Sequence, residues 1–192
     1  MQNRAQEVEQ LSQTLNEKMG LAINPSLPIS LLERMAAARL QVGDYNNVVN
    51  FLAPVFKDEP IVIFGGRGGS TDAAFAAQHL AMAYQKMGQK EQAARILTRL
   101  ENELLHREQE GFLRDPLWIS ILARNLIIQN RHDEALSRLS KAIKLGWRSF
   151  YQIQYDPIWE PIRQNAKFQK LMSSVKSDIE RQRQNLMSFE NL

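Results

Sequence analysis

The stretch "AAQHLAMAYQKMGQKEQAARILTRL", Ala76 to Leu100, sets two helix-like apolar runs on either side of one short break at Gly88-Gln89-Lys90. Leu80 is followed by Ala81, Gly88 comes seven residues after that alanine, Ala93 five further on, and Leu97 four after that. Glycine is the common residue just past a helix end, and small residues let two helices approach closely. The stretch predicts a helical hairpin closed at Gly88.

Two other stretches carry the same register, "LLERMAAARLQVGDYNNVVNFLAPVF" from Leu31 and "WISILARNLIIQNRHDEALSRLSKAI" from Trp118. Their apolar-alanine pairs are Met35-Ala36 and Leu122-Ala123, and their turn residues are Gly43 and Asn130. Val48 and Ala135 take the small apolar position, and Leu52 and Leu139 the leucine. A unit repeated three times at constant internal spacing is the mark of a stacked array, in which the leucines fill the space between one helix pair and the next. The expected class is all-α, with almost no β pattern anywhere.

On those residues the chain resembles the tetratricopeptide repeat family, above all in "HLAMAYQKMGQKEQAARIL" and in "LARNLIIQNRHDEALSRL" with its "DEAL" opening. Arg39 stands where an aromatic or large apolar residue is usual, and successive turn residues are 45 and 42 positions apart (43 to 88, 88 to 130) against about 34 in the family. The resemblance implies a right-handed α-α superhelix of about three pairs spanning 28–146; before it, Val8, Leu11 and Leu15 at helical spacing predict an N-terminal amphipathic helix and linker at 1–27. The resemblance also implies a concave groove, lined by the first helix of each pair, that binds a protein or peptide. The groove positions are then Glu33, Ala37 and Leu40, then Gln78, Met82 and Gln85, and finally Ser120, Arg124 and Ile127. A carboxylate-clamping groove would call for several converging cations. Arg124 and Lys86 are the main ones here.

Downstream, Gly146, Asp156-Pro157, "WEPIR", Phe168 and the "QR" ending resemble the closing segment of tetratricopeptide regions in bacterial signalling proteins, including adenylate cyclases, serine/threonine kinases and winged-helix regulators. Ala166 replaces a usual proline. The expected module is therefore a C-terminal interaction or sensory part of such a regulator, with any catalysis left to an upstream domain. Phe168, Leu171, Met172, Val175 and Ile179 form one apolar stripe, and residues 147–192 are expected to cap the last pair.

The competing enzyme reading rests on "IVIFGGRGGSTDAAFAAQHLAMAY", Ile61 to Tyr84. A P-loop needs a lysine after its glycines, and none is present. A dinucleotide-binding fingerprint needs neighbouring strands, which nothing else in the chain supplies. A nucleophile elbow needs glycine where Asp72 stands. The remaining reading is a hinge at 65–70, with Ser70 or Thr71 capping a helix that starts near Asp72. Nucleotide or anion binding by the Gly65–Asp72 loop is the alternative. Arg67 alone is one unit of an RNA-binding RGG tract.

Composition narrows the remaining classes. With 24 basic and 21 acidic residues well mixed, there is no concentrated stripe for nucleic acid. The absence of cysteine excludes thiolate catalysis, disulfides and cysteine-held zinc. His79, His106 and His132 share no metal-ligand spacing, so neither metal nor cofactor is expected, and His132 is placed in a solvated turn. The pairs Glu101/Glu103 and Asp133/Glu134 are placed on exposed faces, and Trp118, Trp147 and Trp159 in packing between helices. Val8, Leu11 and Leu15 offer a third reading, an assembly module in which a short coiled coil joins a homodimer. The polar N-terminus has no signal-peptide core and no run is long enough to span a bilayer. The expected location is cytoplasmic, or periplasmic for the sensory part of a membrane-anchored regulator.

Overall fold

A computed structural model describes residues 27–56, 70–111 and 115–189, and every regular element among them is helical. The N-terminal stripe, the apolar run 61–64 and the glycine run 65–69 lie outside the described residues. In chain order the elements are α1 (Ile29–Gln41), α2 (Tyr45–Leu52), α3 (Thr71–Lys86), α4 (Lys90–Gln109), α5 (Pro116–Ile128) and α6 (His132–Lys144). They are followed by α7 (Phe150–Tyr155), a 3₁₀ helix (Pro157–Ile162) and α8 (Ala166–Phe189).

Helix starts follow local capping chemistry. Ser70 accepts a hydrogen bond from the Ala73 amide at 3.2 Å and so opens α3 one residue before Asp72. Asp115 and Asp156 accept from Leu117 and Ile158 at 2.8 Å and 3.0 Å, each with proline at the first helical position. Helix ends share one device. Gly43, Gly88 and Asn130 take φ of +76°, +79° and +61°, the left-handed region. The amide one residue further on then donates back across the turn, from Asp44 to Arg39 O, Gln89 to Tyr84 O and Arg131 to Leu126 O, at 3.0, 2.8 and 2.9 Å. These are Schellman caps, which satisfy the last helical carbonyls while reversing the chain. Gly146 repeats the device at φ +106°, where the Trp147 amide donates to Ala142 O at 3.0 Å.

The register positions are buried without exception: Ala36, Ala81 and Ala123, Val48, Ala93 and Ala135, Leu52, Leu97 and Leu139. α1 packs on α2 and α5 on α6, each pair joined by a three-residue turn, so each is an antiparallel hairpin.

The chain divides into two compact units, Met1–Leu100 and Glu101–Leu192, with the division falling inside α4. In the first unit α1, α2 and α3 pack mutually around Leu32, Leu40, Phe51 and Leu80, with Ile96 of α4 against the same cluster. Arg39 belongs in this interior despite its charge. It is nearly enclosed, and its guanidinium donates to Asp44 at 2.9 Å. In the second unit α5 is buried from Ile119 to Ile128 and packs on α6 and the 3₁₀ helix. Its residues are mostly apolar, and such a helix belongs in an interior. α8 packs on α6 and α7 through Phe168, Met172 and Val175, and the Phe168 ring stacks on Trp159 at 6.0 Å.

Three outcomes follow from this packing. Ala81→Leu or Ala123→Leu overpacks a helix contact and should cost about 1–3 kcal/mol in urea unfolding, whereas Asn130→Gly should be neutral or stabilising because glycine takes positive φ freely. Ending the chain after Gly146 removes α8 from α6, and should give an aggregating product with a broadened melt in light scattering and circular dichroism.

Candidate interaction surface

The nine positions expected to line a groove do not share one environment. Gln78 is fully buried, and Leu40, Ser120, Arg124 and Ile127 are also enclosed. They cannot present their side chains to a partner, which corrects the helix count: those turns of α1, α3 and α5 face inward. Glu33, Ala37, Met82 and Gln85 remain half-exposed, all four on α1 and α3 of the first unit, two helices in mutual contact. Met82 leans on the core of that unit, and Glu33 Oε1 lies 3.7 Å from Nδ1 of the buried His79. Lys86 is exposed at the end of α3.

Arg124, expected as the groove's fixed cation, instead forms an ion pair with Asp156, and both side chains are about nine-tenths enclosed. Asp156 uses its other oxygen to cap the 3₁₀ helix, and Arg163 donates to its carbonyl at 2.8 Å. One carboxylate thus ties α5 to the closing segment. Enclosed pairs gain little over apolar packing, but a single survivor is costly because its charge loses both water and partner.

Other polar groups also depart from expectation. Glu101 is drawn in, accepting from Arg131 at 2.6 Å and from Gln129 at 2.8 Å, while Glu103 pairs with Arg107 at 2.9 Å. Asp133 and Glu134 are exposed as expected. His132 is the first residue of α6, half-buried rather than solvated in a turn, and its Nε2 is enclosed without a hydrogen-bond partner. Trp147 and Trp159 are buried and Trp118 half-buried.

Glu108 of α4 accepts from Arg138 and Lys141 of α6, each at 2.6 Å. Partial burial alone would raise its pKa, but hydrogen bonds from Lys141 and Arg138 outweigh it and hold the carboxyl below its ordinary 4.5.

Among the described residues no group of three or more histidines and carboxylates could hold a metal ion, and no helix is long and apolar enough to cross a membrane. What the geometry defines, among the described residues, is an all-helical arrangement in which ion pairs such as Arg131–Glu101 and Arg138–Glu108 join one helix to another or to its turn. Comparison with protein-family models, curated proteins and solved structures returned no match to this chain.

Arg124→Met should cost about 3–5 kcal/mol in chemical unfolding by stranding Asp156. Adding Asp156→Asn, which keeps a side-chain acceptor for the Ile158 amide, should recover part of that loss. For Glu108 the folded pKa is the lower one, so its contribution is present above the ordinary glutamate value and fades as pH falls through the folded value. The stability gap between the parent and Glu108→Gln, measured by urea unfolding, should therefore be present above the ordinary glutamate value and close as pH falls below it.

Proposed function

We propose that this chain is a non-catalytic helical-repeat module of tetratricopeptide type that binds a protein or peptide. The recurrence of one hairpin register carries the reading: three left-handed turn residues and nine buried positions fall at the same spacing along the chain. Such arrays expose first-helix faces that recognise extended or helical segments. In the first unit those faces are α1 and α3, so Glu33, Ala37, Met82 and Gln85 are the residues we assign to partner contact. The resemblance of residues 147–183 to the closing segment of bacterial regulators supports a place in a signalling or transcription-regulatory protein.

The reading has a direct test. A photo-crosslinking residue at Gln85 should trap a discrete protein partner in cells, while the same residue at Asn50, exposed on α2, should not. Equal trapping at both positions, or none at either, would contradict it. ATP, GTP and NAD should leave the melting temperature unchanged; a saturable rise would favour the nucleotide-binding alternative at the Gly65–Asp72 loop.

A further inference from the structure

The second unit carries a surface that the groove of first helices does not include. α6 and α8 lie side by side and run in the same direction: Lys167 Nζ is 3.6 Å from Asp133 near their N-terminal ends, and further along Lys144 shares a cavity wall with Ser177. Two open cavities of ≈ 400 and ≈ 440 Å³ lie between them and share Ser174, making one furrow. Asp133 to Lys144 spans roughly 17 Å at 1.5 Å per residue, room for about five extended residues.

The chemistry along this furrow is ordered. One end carries Lys167 and Lys170, the other Lys144, Arg148 and Arg181. The two carboxylates present are already engaged, Asp178 by Arg148 and Arg181, and Asp133 by Lys167. Lys170 and Lys144 are exposed and belong to no ion pair among the described residues. Between these ends the accessible wall is the half-buried Leu171 with the hydroxyls of Ser137, Ser140 and Ser174, while Leu136 is buried beneath them. Cations therefore flank an apolar centre with small polar edges.

We infer that the α6–α8 furrow docks a short peptide segment of a partner protein in which acidic residues flank an apolar centre. Leu171 desolvates the partner's apolar side chains, the serine hydroxyls meet its backbone, and the basic ends fix its register through charge. Small side chains at Ser137, Ser140 and Ser174 leave the space in which such a segment lies. This surface is independent of the α1–α3 face, so either can fail without the other.

The test uses the full chain and a labelled synthetic peptide with two leucines between pairs of glutamates, read by fluorescence anisotropy. Saturable binding is expected, weakened by added salt. The double variant Lys144→Glu with Lys170→Glu should weaken it at least about tenfold, the loss of close charge complementarity at both ends, with the circular dichroism spectrum and melt unchanged. Ser140→Trp, which fills the centre, should weaken it without altering charge. Replacing the peptide's leucines with serine should abolish binding. Absence of binding by the parent peptide, or equal binding by the serine peptide or by a single-stranded oligonucleotide, would overturn the proposal. So would binding that neither furrow variant changes.

Discussion

A helix hairpin in this chain depends on one residue that accepts a left-handed backbone. Without it the carbonyls at the end of the first helix stay unpaired and the second helix cannot turn back. Gly43, Gly88 and Asn130 meet that requirement, and the amides of Asp44, Gln89 and Arg131 close the turn to the same depth each time. Because the turn fixes the phase of the returning helix, it decides which residues meet across the pair. Alanine at the crossing then permits close approach, and the leucine beyond it has a defined place to fill.

That part of the architecture is legible in sequence because it is local. Turn residue, small residue and leucine lie within seventeen positions of one another (Ala123 to Leu139), and each type has a steric reason to be where it is. Ser70 is legible for the same reason, as an acceptor just before a helix. What could not be read is which charged residue turns inward. Arg39 and Arg124 look like surface cations, and only the fold brings Asp44 and Asp156 to them. Glu101 reads as a solubilising acid until Arg131, thirty residues on, reaches it.

The groove positions show the same limit from another side. Counting along a helix assigns a face, but what covers that face depends on elements far away in sequence. For α5 the cover is complete from Ile119 to Ile128, so Ser120, Arg124 and Ile127 lie inside. The high apolar content of α5, interrupted between Ile119 and Ile128 by Ser120, Arg124 and Asn125, was the available signal, since a mostly apolar helix leaves little face for a partner. Other ion pairs, Glu108 with Arg138 and Lys141, and Arg148 with Asp178, join α4 to α6 and the residues after α6 to α8.

Residue-resolved backbone chemical shifts and scalar couplings measure the hairpin register most directly. The account predicts helical shifts through α1 to α6, interrupted by a coupling typical of positive φ at Gly43, Gly88 and Asn130. Helical shifts running unbroken through Asn130, or extended-strand shifts on either side of it, would contradict it.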